Sequence, residues 1–329
     1  MALNETHHPP LPVVLDAVRE TAAQSHRTLD ALGTGLSKTI GEHLGVPQED
    51  VMVGPGSGAL LQLLFSTLTG PGTHTVHAWP SWEAYPMMAG NAGSSVVRVP
   101  LTNERHDLSA MAAAVTDETR MVMVCNPNNP TGTVVGRGAL AKFLKLLPAH
   151  VTVIVDEAYV DFADPGSTDD GIDLYRTDER VCVVRTFSKS YSLLSLRVGY
   201  LVGHPAVLGP MRGHQLFLRV GAPAQAAAVA ALGVDAEIQE RCRETARERD
   251  RLHSLLVAQG WTSADSQANF VWLPLDKGVE ELTQYCADNG IMICGKPGDG
   301  IRVTIAEREA NDAFAALAAD FRTRAASWA

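Results

Sequence analysis

The chain has 329 residues, 46% apolar and 19% charged, with 37 acidic against 27 basic side chains. The resulting net charge of −10 excludes a general binder of nucleic acid or of anionic membrane surfaces. A small anionic ligand stays open, because a few local Arg or Lys side chains suffice to hold one.

The length predicts one large domain and a smaller one. Five scattered cysteines (Cys125, Cys182, Cys242, Cys286, Cys294) form no CxxC pair, so neither a metal site nor a disulfide framework is expected. The opening MALNETHHPPLP lacks the charged head and apolar run of a signal peptide. No apolar stretch approaches the roughly 20 residues that span a bilayer. The cytoplasm is the expected location.

In chain order, a helix is predicted near Pro12–Ala23. Strands follow at Val51–Val53, His74–His77, Ser95–Val99, Met121–Cys125, Val151–Val155, Val181–Arg185 and Val198–Val202. Helical patterns lie between them, at Gly58–Leu68, Arg137–Leu147 and Pro205–Gln215. Val-rich strands alternating with helices predict a mostly parallel sheet covered on both faces. From Ala222 to Gln259 an Ala-, Glu- and Arg-rich helical stretch runs on, broken near Leu232–Asp235. A strand (Asn269–Leu273), a helix (Val279–Asn289), strands at Ile291–Ile293 and Ile301–Ile305 and a helix at Glu307–Ala325 predict a small α/β domain. The expected division is 1–45, an N-terminal segment packing with the small domain; 46–225, the large domain; and 226–329, the small one.

Three segments carry candidate chemistry. Cys125-Asn126-Pro127-Asn128-Asn129-Pro130-Thr131-Gly132 follows a strand directly. It reads as a turn, or as a ligand loop at the carboxyl end of a buried strand. Asp156 and Glu157 end a run of β-formers and either cap the next helix or face a ligand. Lys189 follows a further strand among Thr186, Ser188, Ser190 and Tyr191, with Arg197 eight residues on. A lone lysine is more often a solvated surface residue.

Together, in this order and spacing, these segments resemble the fold-type I, class I/II aminotransferases. The branch most similar is that of histidinol-phosphate aminotransferase, with its relative threonine-phosphate decarboxylase. The resemblance covers nearly the whole chain and extends to Gly54–Gly58, Pro80-Ser81-Trp82, Ala268-Asn269-Phe270 and Ile301-Arg302-Val303-Thr304. It implies an α/β fold with a mostly parallel seven-stranded sheet in the large domain, and pyridoxal 5′-phosphate (PLP) as cofactor.

Residue by residue, it implies that Lys189 tethers PLP as a Schiff base and shuttles a proton. Asp156 would pair with the ring nitrogen. Asn129 and Tyr159 would bind the phenolic oxygen, and Trp82 would stack on the ring. Gly56, Ser57 and Gly58 would cradle the phosphate at a helix start, helped by Arg197, Thr186 and Ser188. Arg302 would grip the substrate carboxylate. Asn4 belongs to the family's substrate-covering segment, where His7 and His8 are unusual.

The chain departs from the pattern at several points. Thr28 stands where relatives have a tyrosine that reaches into the neighbouring subunit. Cys294 stands where histidinol-phosphate enzymes place a second arginine; Lys296 is a point-charge substitute nearby. Ser195 replaces a glycine, and Arg219 replaces an asparagine, facing either the pocket or solvent.

The expected reaction is ping-pong transamination of a small amino acid or amine with a keto-acid acceptor, in a homodimer. The alternatives are decarboxylation, elimination or oxidation on the same scaffold, or histidinol-phosphate transamination proper. A PLP-binding sensor is a third class. It would need a DNA-binding segment upstream, for which the short N-terminus leaves no room.

Overall fold

A computed structural model describes residues 1–28 and 30–326. Leu29, within the segment that departs at Thr28, lies outside the described residues. Helices α1 (Pro12–Ala22) and α2 (Thr34–Leu44) open the chain. Strands β1 (Val51–Gly54), β2 (His74–Trp79) and β3 (Ser95–Pro100) alternate with α3 (Ser57–Leu68) and α4 (Ala84–Asn91). Then come α5 (Leu108–Ala113), β4 (Thr119–Cys125), α6 (Ala139–Leu144), β5 (Thr152–Asp156), α7 (Gly171–Thr177), β6 (Val181–Thr186), β7 (Gly199–Gly203) and α8 (Pro205–Arg212).

These strands form one seven-stranded sheet in the order β1-β7-β6-β5-β4-β2-β3. Only β7 runs antiparallel to its neighbours. Apart from its largely exposed edge strand β3, the sheet is buried on both faces, and its side chains divide between two cores with period two. Val122, Val124, Val153, Val155, Val181 and Val183 face one core; Met121, Met123, Ile154, Cys182 and Val184 face the other. This double burial explains the near-continuous apolar runs in the sequence.

Helices α9 (Ala222–Leu232) and α10 (Asp235–Ala258) follow, with their break at the residues where it was expected. They lead to β8 (Phe270–Pro274), α11 (Val279–Asp288), β9 (Cys294–Lys296), β10 (Gly300–Thr304) and α12 (Arg308–Ala326). The second sheet has the order β8-β10-β9 and is antiparallel throughout. Val271, Leu273, Ile301 and Val303 face its helices, in a third core with Leu252, Leu256 and Phe314. Phe270, Trp272, Arg302 and Thr304 therefore point the other way, towards the large sheet.

Two expectations need correction. The short strand lies at Cys294–Lys296, not Ile291–Ile293. Gly290, at φ +82°, closes α11, and the N–H of Ile291 bonds back to the carbonyl of Cys286, so residue 291 still belongs to the helix end. Residues 1–45 also do not pack with the small domain alone. Val14, Leu36 and Ile40 lie in the first core of the large sheet, because α1 and α2 pack on α9. Only the opening residues reach the small sheet, where the Thr304 N–H donates to the carbonyl of Met1 (2.9 Å).

Candidate active site

The parallel strands β1, β2, β4, β5 and β6 all end at one edge of the large sheet, and antiparallel β7 begins there. The loops leaving that edge surround a cavity of about 180 Å³. Ser57, Gly58, Trp82, Asn129, Asp156 and Tyr159 line it, with Thr186, Ser188, Lys189 and Arg197 on the β6–β7 side. Residues spread over 140 positions of sequence thus converge because strand ends converge, where ligands bind in such sheets.

Asp156 is the last residue of β5 and only 3% exposed. The Tyr85 hydroxyl donates to its Oδ2 (2.7 Å), and the Ala158 N–H donates to its Oδ1 (3.2 Å). Burial pushes its pKa up to about 6, against the pull of these two hydrogen bonds. A cation placed at the carboxylate would reverse that rise. Tyr85 also meets Trp82 edge to face, with centroids 5.5 Å apart. The sequence reading missed Tyr85. The available signal was its place three residues after Trp82, at the start of α4.

Lys189 Nζ donates to the carbonyl of Asn4 (3.0 Å). Burial, then the nearby charges of Arg302 and Arg197, lower its pKa to about 8. A substantial neutral fraction at mild pH makes an amine both nucleophilic and basic. Tyr159 is buried, and its hydroxyl accepts from Asn4 Nδ2 (2.8 Å). Burial raises the Tyr159 pKa, so the phenol stays protonated. Cys125 also lines the cavity, but burial first and Asp156 second push its thiol up to about 12. It is not a nucleophile near neutral pH.

The start of α3 is shaped by glycine. Gly56 precedes the helix at φ +84°, and a Cβ there would lie 2.5 Å from the Arg197 guanidinium. A Cβ on Gly199 would lie 2.6 Å from the backbone N of Ser57. Backbone N–H groups at a helix start, next to an arginine, form an anion cradle. Arg197 itself adopts φ +54°, turning its side chain back over this cradle.

Arg302 is 7% exposed and approaches from β10. It donates to Asn129 Oδ1 (2.6 Å) and to the carbonyl of Ala2 (2.8 Å), while its Nε finds no partner. Asn4, at φ +51°, is bound twice by Thr304: its N–H donates to Oγ1 and its Oδ1 accepts from the same hydroxyl, both at 3.0 Å. Arg219 is not part of this group. It donates to the carbonyls of Val53 (2.9 Å) and Leu32 (2.7 Å) and lines a separate hollow with Arg212. Of the two orientations expected for it, the pocket or solvent, the guanidinium takes neither fully: it is engaged with backbone, away from the cavity around Lys189. His7 likewise lines a different hollow, with Glu307. Among the described residues no cluster of His, Cys, Asp or Glu is arranged to hold a metal ion, and no helix is long and apolar enough to cross a membrane.

A buried lysine of lowered pKa, a carboxylate at a strand end and a glycine-built anion cradle on a doubly covered sheet define the site of a fold-type I PLP enzyme. The cradle that a Cβ would fill and the buried carboxylate lacking a cation both fit that group. A family model described as aminotransferase class I and II matches residues 1–318. An aromatic amino acid aminotransferase of Thermobifida fusca is 44% identical over 324 residues, covering 98% of this chain and 90% of that protein. Another so named, of Streptomyces coelicolor, is 42% identical over 323 residues, covering 98% and 90%. A histidinol-phosphate aminotransferase of Sinorhizobium meliloti, solved with PLP, superposes with a TM-score of 0.90 at 26% identity, covering 97% of this chain and 89% of that one. The chain belongs to the class I and II aminotransferase family: its cofactor is PLP and its reaction is transamination of an amino acid.

Proposed function

We propose that the chain transaminates aromatic amino acids against a keto-acid acceptor, with Lys189 as tether and proton carrier. The names of the Thermobifida and Streptomyces relatives support the aromatic class. The observation that carries the reading is Arg302: a buried guanidinium, held by Asn129 and by a main-chain carbonyl that a ligand can replace. One such fork suits one carboxylate. Uncharged Cys294 opposite it offers no second fork for a phosphate, which disfavours histidinol phosphate.

When bound, PLP supplies an aldehyde that carries the amino group and a ring that takes up electrons released at the substrate Cα. The rest falls to the chain. Ser57 and Gly58 would present N–H groups to the phosphate, with Gly56, whose own N–H donates to the carbonyl of Gly54 (2.7 Å), shaping the turn, and Arg197, Thr186 and Ser188 would complete the cradle. Asp156 holds a proton on the ring nitrogen by opposing its charge. Asn129 spends Oδ1 on Arg302, which leaves its amide hydrogens for the phenolic oxygen beside Tyr159. Trp82, which lines the cavity, would cover the ring face. Lys189 Nζ would take the substrate Cα proton and give it back at the carbon on the far side of the amino nitrogen, as a base whose pKa is lowered to about 8. Asn4 keeps the opening segment over this amine.

A homodimer in the cytoplasm is part of the proposal. Leu216, Phe217 and Leu218, all exposed after α8, supply an apolar surface for a second copy. The test is a donor panel with purified enzyme. Phenylalanine and tyrosine should outrun histidinol phosphate, and Arg302→Ala should raise KM for both roughly 10- to 100-fold, as loss of a charge-assisted contact does. Faster turnover of histidinol phosphate would overturn the reading.

A further inference from the structure

Strands β5 and β6 are parallel neighbours, so the loops that leave them lie side by side at the cofactor edge. The first carries Tyr159 and the second Lys189. At the strand ends they are joined by the ion pair of Glu157 and Arg185 (2.7 Å). Beyond the ends a second tie crosses between them. Tyr159 leads into a short 3-10 turn, Val160–Phe162, and the buried Ser190 hydroxyl donates to the Asp161 carboxylate inside that turn. The same turn is held by Arg249 of α10, only 1% exposed, whose Nη1 donates to the carbonyl of Phe162 (2.9 Å). Asp161 thus stands two residues from Tyr159, and its partner stands next to Lys189.

Lys189 needs such a tie. Its stem is flexible, and its ammonium rests on the Asn4 carbonyl (3.0 Å), a contact that the reaction must break. Nζ lies 5.9 Å from the centre of the Tyr159 ring. Where the amine can reach is therefore set by where its backbone is held against the turn that carries Tyr159. A misplacement of about 1 Å can cost roughly 100-fold in rate. A hydrogen bond to an ionised acceptor is the stronger kind, and this one fixes both loops at once. Burial and then the charges of Arg302, Arg197 and Glu5 set the lysine's lowered pKa, so Asp161 acts by position rather than by charge. We propose that Asp161 is a positioning residue for the transamination: through Ser190 it locks the Lys189 loop to the Tyr159 turn, so that amine and phenol keep one spacing through both half-reactions. The inference rests on the reading that Lys189 carries PLP and moves the proton. The next bond along the loop, from the Tyr191 hydroxyl to Asp235 Oδ1 (2.8 Å), runs to α10 and bypasses the turn.

The test compares variants in two measurements. One is the single-turnover half-reaction of the PLP-loaded enzyme with L-phenylalanine, carrying hydrogen or deuterium at Cα. The other is the rate at which PLP couples to the cofactor-free protein, with borohydride trapping to locate the bond. Asp161→Ala should lower the saturating half-reaction rate roughly 10- to 100-fold, leave the half-saturating concentration within about twofold and enlarge the deuterium effect. PLP coupling should slow by a similar factor, because the same amine must reach the aldehyde. Ser190→Ala should match it, and the double variant should lose no more than either single one. Asp161→Asn keeps an acceptor for the hydroxyl and should retain most of both rates. Tyr191→Phe cuts the neighbouring bond and should lower thermal stability but neither rate. Additive losses in the double variant, Asp161→Asn as slow as Asp161→Ala, Tyr191→Phe as slow as either, or unchanged rates would overturn the proposal. Should Asp161→Ala fail to fold, Ser190→Ala and Asp161→Asn carry the same contrast. A borohydride label on another lysine of the wild type would sink the Lys189 reading and this inference with it. A label on Lys189, with both rates unmoved in the variants, would sink the role of Asp161 alone.

Discussion

The cofactor edge of the large sheet and the substrate face of the small sheet hold their side chains by different means. At the cofactor edge, Asp156 ends a strand, Lys189 and Arg197 lie in the loop that joins β6 to β7, and glycines let backbone meet backbone. On the substrate face, Arg302 is held by a main-chain carbonyl of the opening residues, 300 positions away. The first arrangement is set by local geometry and tolerates little change. The second is a set of exchangeable contacts, suited to a surface that must release one ligand and accept another.

Substitutions should expose this contrast. The largest effect is expected at Gly199. Its added Cβ would meet only backbone: Ser57 N at 2.6 Å, Gly56 C at 3.0 Å and Arg185 O at 3.1 Å. Gly199→Ala should cost about 1–3 kcal/mol of stability, as overpacking does, and should weaken PLP binding, read by thermal melts and cofactor titration. Gly209→Ala, with nothing within 4 Å of its Cβ, is the control and should do neither.

A smaller effect is expected at Tyr85. Asp156 has a folded pKa of about 6, above its ordinary value of 3.8. The folded chain therefore binds that proton more readily than the unfolded one. Stability of the cofactor-free protein should fall as pH rises through this window and level off above it. Tyr85→Phe removes a hydrogen bond that favours the anion, so the window's upper end should move to higher pH. Asp156→Asn should abolish this contribution. Chemical denaturation at several pH values reads both, and a wild-type profile flat across the window would contradict the account.

The mildest change is electrostatic. PLP uptake by the cofactor-free protein needs neutral Lys189, so its rate should rise with pH to half-maximum near 8, the pKa the site gives this lysine. Arg302→Met removes a nearby positive charge and should shift that midpoint upward. An unshifted midpoint would mean that burial alone sets it.

The same contrast explains what was legible in the sequence. All seven strands of the large sheet were visible, the inner ones because double burial writes them as apolar runs and the exposed edge strand β3 because it is rich in Val. Most residues lining the cavity were visible because they lie just beyond strand ends in recognisable motifs. Helix α4 was not, since Tyr85, Met88 and Ala89 are buried in a short segment without a charged face. Its loss hid Tyr85. The contacts of Arg302 with Ala2 and of Lys189 with Asn4 bring the opening residues against distant parts of the chain, and no local pattern encodes them. Arg219 looked like a pocket residue on substitution alone, but the backbone carbonyls of Val53 and Leu32 take it elsewhere.

Everything proposed for the site depends on Lys189 being the residue that holds PLP. Treating the PLP-loaded protein with borohydride and mapping its peptides tests this directly. The pyridoxyl group should be found on the peptide containing Lys189 and be absent from Lys189→Ala. A label on another lysine, or none at all, would contradict the account.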